Sequence, residues 1–280
     1  MIDEGVEVAR GLEVPPAIAV APLRALRDVE AREELRSWLS GARGRVIEAF
    51  EALAYLTPEA LLDRARASEE LRAQLALEER FSLEDRSGRP SSNAIVDDVL
   101  QDVLHVCEAH ALSMHVGCTV TVALHRSTTC PLLHQDNVEQ RAICTLLGRG
   151  TEWLSEPELP KTAAIIEAVN AAQDQEDYAC ARAHKKKLEA TAAFAAAGER
   201  ETVLIRGCKW PGAERQAPLH RSPHLARNGK QFRLVVKVDS GRGLPGQMQR
   251  RMRLDPQRVP LPACGVLAER MGKMNLLKTF

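Results

Sequence analysis

Hydrophobic residues recur at intervals of three and four through much of the first part of the chain. This spacing is typical of amphipathic helices, whose apolar stripe packs on a core. The helices predicted in this way are 28–39, 46–56, 58–77 and 94–111. Thr57 is predicted to be an N-cap, because Pro58 after it suits the first helical position. A shorter apolar segment with a proline pair, 13–20, is predicted to be extended.

The pattern changes to strict alternation between Leu112 and His125, where every second residue is apolar. A period of two is typical of a half-buried strand. Further strand-like runs lie at 203–206, 217–223 and 231–239. We therefore expect 112–147 and 203–239 to build one sheet-rich core, with the mainly helical segment 28–111 packed outside it.

Two alanine-rich segments, 161–173 and 177–197, interrupt this strand pattern and predict a helical insertion over 160–198. Two interpretations of the insertion remain open: a lid over a site, or an external hairpin without a catalytic role. We expect residues 1–239 to form a single domain. The periodicity is lost after it, so 240–280 is expected to be an irregular basic tail.

Composition limits the classes of protein to consider. Lys plus Arg and Asp plus Glu both total 38, so no overall field steers the chain toward nucleic acid or anionic membranes. Seven cysteines without a C-x-x-C motif argue against a disulfide framework. The start of the chain does not resemble a signal peptide, and no apolar run is long enough to span a membrane. We therefore expect a cytoplasmic protein that binds neither nucleic acid nor membrane, of an oligomeric state that the sequence does not indicate.

The candidate chemistry lies in the segment 130–154, CPLLHQDNVEQRAICTLLGRGTEWL. His134 and Asp136 stand two residues apart, so on an extended strand both side chains point the same way. A second histidine from a distant strand would complete the two-His, one-carboxylate triad that non-haem Fe(II) sites use. His220, in APLHRSP, is the candidate. His224 is a rival, although the proline before it favours a loop.

Several motifs occur in order over about residues 95–240: HQDN, R-x-I-C-T, G-x-G-T-E-W-L, W-P-G and L-H-R-S-P. In these motifs the sequence resembles the uncharacterised bacterial family catalogued as domain of unknown function 1826, whose members are often encoded near metal-responsive genes. It departs from the family pattern at Leu133, where an aromatic residue usually precedes the histidine, and in the long insert before Val203. More distantly, the H-x-D motif, the late histidine and the following arginine resemble the Fe(II)/2-oxoglutarate-dependent oxygenases.

The resemblance to the oxygenases implies an α+β fold with a double-stranded β-helix, or jelly-roll, core, an N-terminal helical layer and a helical insertion. It implies that His134, Asp136 and His220 bind Fe(II). Arg233, on the strand after His220, would bind the far carboxylate of 2-oxoglutarate, because a guanidinium fork matches a carboxylate. Arg141 is the alternative. The function implied is an Fe(II)/2-oxoglutarate-dependent dioxygenase acting on an unknown substrate.

Two other interpretations remain open. A non-catalytic zinc-binding accessory protein in metal homeostasis would use the same His and Asp side chains without turnover. A structural jelly-roll interaction protein would bind no metal. Clustered cysteines would favour zinc, but we expect those near the motifs to lie outside the ligand set: Cys130, Cys144 and Cys208. We expect the other histidines to be exposed or hydrogen-bonded: His105, His110, His115 and His125.

Overall fold

The computed structural model describes residues 18–22, 29–40, 47–81, 93–111, 117–155, 159–210, 217–226 and 231–240. The starts of the predicted extended segment 13–20 and strand 112–125, and the tail beyond residue 240, lie outside these ranges. In order the elements are β1 (Ile18–Pro22), α1 (Val29–Leu39), β2 (Phe50–Leu56), α2 (Pro58–Leu62), α3 (Arg64–Leu75), α4 (Leu77–Phe81), α5 (Asn93–Ala111), β3 (Cys118–His125), β4 (Gln140–Leu147), β5 (Glu152–Leu154), α6 (Leu159–Asp174), α7 (Tyr178–Thr191), β6 (Phe194–Ala196), β7 (Glu201–Arg206), β8 (His220–Arg221) and β9 (Arg233–Ser240). Within the described ranges, no helix combines the length and apolar character needed to cross a membrane.

Six of the strands form one antiparallel sheet, the large sheet, in the order β1-β7-β4-β9-β3-β2. Strands far apart in sequence are neighbours in it, since β9 lies between β4 and β3. The prediction that 112–147 and 203–239 build one sheet-rich core agrees with β3, β4, β7 and β9, which are all strands of the large sheet, whereas β8 belongs to a second sheet. Three short strands form a small antiparallel sheet in the order β6-β5-β8. An isolated bridge between His134 and His220 extends this small sheet beyond β8.

The two faces of the large sheet have different neighbours. One face shares a core cluster with α1, α3 and α5, to which Val236 of β9 and Val122 of β3 belong. Because side chains alternate along a strand, the residues next to Val236 on β9 and next to Val122 on β3 point to the opposite face of the sheet, which we call the inner face. The inner face carries a smaller apolar cluster: Ala123, Ile143, Val203, Ile205 and Val235. Trp153 of β5 packs against that cluster, so the small sheet covers the inner face.

Helices α6 and α7, the predicted insertion, form a hairpin on the small sheet. Ile166 of α6 and Leu188 of α7 lie in one buried cluster with Leu133, Leu154 and Leu219. Leu133 and Leu219 each directly precede a histidine of the candidate site, so they point to the opposite side of the backbone. The hairpin therefore packs on the side of the small sheet that faces away from the site. This packing supports the external hairpin over the lid.

The predicted helix 46–56 is wrong, because Phe50–Leu56 is strand β2. Its Ala52 and Ala54 are buried at alternate positions, and the strand pairs with β3 along its whole length. Pairing with a partner distant in sequence thus outweighs the helix propensity of its alanine and leucine residues. The segment 28–111 is accordingly not helical throughout, since β2 forms one edge of the large sheet.

The predicted helix 58–77 is divided into three short helices. Thr57 caps α2 as predicted, because its hydroxyl accepts a hydrogen bond from the N–H of Ala60 at 3.2 Å. The Asp63 carboxylate then accepts from two N–H groups of α3 and starts a second helix. Ala76 ends that helix in the left-handed conformation, with φ of 46°. Local capping therefore overrides a periodic pattern that reads as continuous.

The predicted helix 177–197 is wrong in its last part. Helix α7 ends at Thr191, and Phe194–Ala196 forms β6, an edge strand that pairs with β5. The alanines in this stretch favour a helix by propensity, but pairing with the small sheet determines the outcome. The other helical predictions agree with α1, α5 and α6 to within about two residues, the usual uncertainty of helix ends.

Candidate metal centre

Three side chains that the sequence singles out meet between the two sheets: His134, Asp136 and His220. One ligand atom from each lies within 4.8 Å of the others. The backbone brings the histidines together, because the N–H of each donates to the carbonyl oxygen of the other at 3.0 Å. This antiparallel bridge places both imidazoles on one face, with ring centroids 4.5 Å apart.

Both imidazoles direct Nε2 at Asp136. Nδ1 of His134 lies 2.9 Å from the carbonyl oxygen of Leu132, and Nδ1 of His220 lies 3.2 Å from that of Pro218. A carbonyl oxygen only accepts hydrogen bonds, so each Nδ1 carries the proton and each Nε2 of a neutral ring keeps its lone pair. The two Nε2 atoms lie 3.8 and 3.0 Å from the Asp136 carboxylate oxygens. A ring fixed in this way by its other nitrogen is typical of metal-binding histidines.

The Asp136 carboxylate keeps one oxygen for a further partner. Oδ1 accepts a hydrogen bond from Nη1 of Arg141 at 2.6 Å, whereas Oδ2 is buried without a hydrogen-bond donor among the described residues. Nε2 of His220 lies 3.0 Å from Oδ2, but in a neutral ring whose Nδ1 carries the proton it donates no hydrogen bond. Such a buried oxygen is costly. A cation bound by Oδ2 and the two Nε2 atoms would remove that cost, so the three residues fit a metal ion.

Burial and nearby charges favour the protonation states in which Asp136 and His134 can bind a metal. Burial alone would raise the pKa of the Asp136 carboxyl, but the Arg141 guanidinium holds it well below its usual range. Burial and the neighbouring His220 ring lower the pKa of His134 to about 4. Arg141 is also bound to the Asp239 carboxylate through Nε and Nη2. At neutral pH the site therefore offers an ionised carboxylate beside a neutral imidazole.

A tight turn after β7 fixes the segment 136–139, which carries the carboxylate. Three consecutive N–H groups, those of residues 207–209, donate to carbonyl oxygens of that segment at 2.8 to 3.0 Å. The Cys208 thiol donates to the carbonyl at its start at 2.7 Å. A Cβ at Gly207 would lie 2.0 Å from the carbonyl oxygen of Val138, so only glycine permits this approach. The turn thus positions the carboxylate against the two imidazoles.

Arg233 lies on the inner face of the large sheet, where it is only 4% exposed. Its guanidinium donates to three hydroxyls: Thr145 at 2.9 and 3.1 Å, Thr151 at 2.7 Å and Ser222 at 3.2 Å. None of the carboxylates in the described ranges hydrogen-bonds to it. Burial lowers its pKa to about 10, so the group stays charged at neutral pH. We call these four residues the Arg233 pocket.

The Arg233 pocket adjoins the three candidate ligands. Ser222 follows His220 by two residues, so the two side chains point the same way and lie about 7 Å apart along an extended chain. Arg141, the alternative anchor for a cosubstrate, is held by Asp136 and Asp239 instead. Of the two predicted arginines, Arg233 is therefore the one that is buried and whose partners among the described residues are all hydroxyls.

The rival ligands lie elsewhere. His224 is exposed and does not belong to the group within ligand distance. The candidate cysteines also stand outside that group: Cys130, Cys144 and Cys208. His105 hydrogen-bonds to a helix carbonyl and His110 to Ser240, whereas His115 lies outside the described residues.

Sequence reasoning missed the residues that support the candidate ligands. Asp239 holds Arg141, Gly207 permits the tight turn, and Thr145 and Thr151 hold Arg233. Alternation along β4 could have placed Thr145 on the face of Arg141. No local pattern indicates that Gly207 approaches a segment about 70 residues away, because the contact is purely tertiary.

The fold and the site define a protein of mixed helices and antiparallel sheets with a candidate two-histidine, one-carboxylate metal centre. The chain belongs to the family described as protein of unknown function DUF1826, whose sequence profile matches residues 34–239. None of the curated proteins matches it.

Two solved structures illustrate what the chain is similar to. A dioxygenase for auxin oxidation from rice is 13% identical over 89% of this chain and 80% of its own, with a TM-score of 0.33. Dioxygenase for auxin oxidation 1 from Arabidopsis thaliana, in a binary complex with 2-oxoglutarate, is 8% identical over 79% of this chain and 80% of its own, with a TM-score of 0.34. These scores are too low to carry an argument, so the proposal below depends on the site.

Proposed function

We propose that this protein is a non-haem Fe(II) dioxygenase that uses 2-oxoglutarate as cosubstrate. The observation that carries the proposal is a three-ligand group beside a buried cation that has only hydroxyl partners among the described residues. A ligand with a metal-chelating end and a distant carboxylate would satisfy both features at once. 2-Oxoglutarate has this chemistry, whereas a zinc-binding accessory protein has no need of the buried Arg233.

The metal would be held by Nε2 of His134, Nε2 of His220 and Oδ2 of Asp136. Three protein ligands leave positions open for a cosubstrate and for oxygen, as a two-His, one-carboxylate site requires. When bound, Fe(II) and 2-oxoglutarate supply the oxidising chemistry, with succinate and carbon dioxide as by-products. Oδ1 of Asp136 stays with Arg141, which keeps the carboxylate ionised and fixes its orientation.

The Arg233 pocket would bind the far carboxylate of 2-oxoglutarate. A guanidinium presents two parallel donors that match a carboxylate, and burial strengthens the attraction because water screens it less. The hydroxyls of Thr145 and Thr151 hold the guanidinium without neutralising it. The charge and the free donor capacity of Arg233 therefore support this group as the partner of the far carboxylate.

The finer fold that we propose is a double-stranded β-helix, or jelly-roll, and two facing antiparallel sheets support it. The candidate ligand His220 and its bridge partner His134 belong to the small sheet. Arg233 and Arg141 belong to the large sheet, and Trp153 packs from the small sheet onto the large one. A site between two facing antiparallel sheets is the usual place for a ligand in this architecture.

Anaerobic calorimetry tests the function directly. Wild-type protein is titrated with 2-oxoglutarate in the presence and in the absence of Fe(II), and succinate is then measured after oxygen is admitted. We expect 2-oxoglutarate binding that requires the metal, and slow succinate formation even without a substrate. Stoichiometric Zn(II) or Fe(II) binding without any effect on 2-oxoglutarate affinity would overturn the proposal and favour the zinc-binding accessory protein.

A further inference from the structure

A second cation with an incomplete environment lies on the inner face of the large sheet. Lys237 is in register with Thr121 of β3 and with Ile143 of β4, and residues paired in this way share a face. Val235, two residues earlier on β9, belongs to the apolar cluster of that face. The Lys237 side chain therefore points into the space between the sheets, on the strand that also carries Arg233.

Lys237 makes no ion pair with a described carboxylate. Asp136 and Asp239 both bind Arg141, and Glu152 of the small sheet binds two other arginines. Lys237 is half-buried, and its ammonium has no ion-pair partner among the described carboxylates. A cation without a charged partner beside a buried cation such as Arg233 creates a positive field that attracts an anion.

The charges between the sheets do not balance once the proposed ligands are present. Arg141, Arg233 and Lys237 contribute three positive charges from the described residues. Asp136 and Asp239 contribute two negative charges, and the two imidazoles are neutral when they bind the metal. A divalent metal and the 2-oxoglutarate dianion cancel each other, so one positive charge remains. A single further anion would neutralise the space between the sheets.

His125 reports the combined field of the two cations that lack carboxylate partners. It faces Arg233 across the β3–β9 pair, at the end of the inner face. Burial, then the charges of Lys237 and Arg233, lower its pKa to about 4. Both cations therefore act on the same region, and His125 stays neutral there at physiological pH. It offers no compensation for the excess positive charge.

We propose that Lys237 binds the single anionic group of the primary substrate. The substrate class is thus a small monoanion, such as a carboxylate. This inference rests on the proposed function, because 2-oxoglutarate must occupy Arg233 for Lys237 to be the cation that remains for the substrate.

The test compares a carboxylate probe with its neutral isostere. Hexanoate and hexanamide are titrated into anaerobic protein loaded with Fe(II) and 2-oxoglutarate, with wild type, Lys237→Met and Lys237→Arg in parallel. We expect wild type to bind hexanoate at least about tenfold more tightly than hexanamide, the size of one hydrogen-bonded charge pair. Lys237→Met should abolish the preference for the carboxylate, and Lys237→Arg should keep it because the charge is retained.

The outcomes separate this inference from the proposed function. A wild type that shows no preference, or a preference that survives in Lys237→Met, overturns the role of Lys237 while leaving the oxygenase proposal intact. The same holds if Lys237→Met weakens 2-oxoglutarate binding and leaves hexanoate binding unchanged, because the lysine then serves the cosubstrate. Failure of metal and 2-oxoglutarate loading shows separately that the proposed function is wrong. In that case hexanoate titrations of the metal-free wild type and Lys237→Met decide whether Lys237 binds anions at all.

Discussion

Replacing Arg233 by methionine should separate cosubstrate binding from folding. The guanidinium makes four hydrogen bonds to three hydroxyls, each worth about 1.5 to 3 kcal/mol as a bond to a charged group. Against this, the desolvation of a buried cation costs several kcal/mol. Because these contributions offset each other only in part, we expect the free energy of unfolding of the metal-free protein to fall by about 2 to 5 kcal/mol, as measured by urea denaturation.

The same substitution should strongly weaken 2-oxoglutarate binding. Loss of a bidentate guanidinium–carboxylate pair removes two charge-assisted hydrogen bonds, or about 3 kcal/mol, which corresponds to roughly a hundredfold rise in Kd. Anaerobic calorimetry in the presence of Fe(II) measures this directly. Arg233→Lys is the matched control, since it keeps the charge but loses the guanidinium fork. Its Kd for 2-oxoglutarate should lie between those of wild type and Arg233→Met. Unchanged 2-oxoglutarate affinity in Arg233→Met, with metal content intact, would refute the anchor.

Three further perturbations test other parts of the structure. Gly207→Ala would place a Cβ 2.0 Å from the Val138 carbonyl oxygen, so we expect the free energy of unfolding to fall by about 3 kcal/mol or more and metal binding to weaken. A free energy of unfolding equal to that of wild type, measured by urea denaturation, would contradict the tight turn. Leu188→Ala should cost about 2 to 5 kcal/mol through the cavity it leaves, yet change 2-oxoglutarate affinity less than twofold, whereas a large loss of affinity would favour a lid. Burial lowers the pKa of His110 to about 4 in the folded protein, so its contribution to stability is complete above about pH 6.5 and is lost as the pH falls toward 4, by about 3 kcal/mol. Urea denaturation across this range should show a loss that is smaller by about this amount in His110→Gln than in wild type, because His125 and His134, whose pKa values are also lowered to about 4, contribute equally to both proteins; identical pH profiles would contradict it.

The part of the site that follows from the sequence is the part that local chain geometry determines. An H-x-D motif in extended backbone directs His134 and Asp136 to one side wherever the segment lies in the fold. Alternation along β9 likewise places Arg233 and Lys237 on one face. In the structure, the segment around His134 is not a regular strand but a single bridge to His220. The sequence pattern predicts the direction of the side chains better than it predicts the element that carries them.

The errors of the sequence analysis have a common physical origin. β2 and β6 consist largely of residues that favour helices, and they are strands because partners distant in sequence pair with them. The approach of Gly207 to residues 136–139, and the ion pair of Arg141 with Asp239, likewise join segments that lie far apart in the chain. Intrinsic propensity and local spacing contain no information about such partners, so these features required the structure.

Metal binding by His134, Asp136 and His220 is the central claim, and equilibrium dialysis against Fe(II) under anaerobic conditions tests it most directly. Wild type, His220→Ala and His224→Ala are compared, because His224 is exposed, lies only four residues away and is absent from the ligand group. We predict about one tightly bound metal ion per chain in wild type and in His224→Ala, and its loss in His220→Ala. Stoichiometric metal in His220→Ala, or none in wild type, would contradict the account.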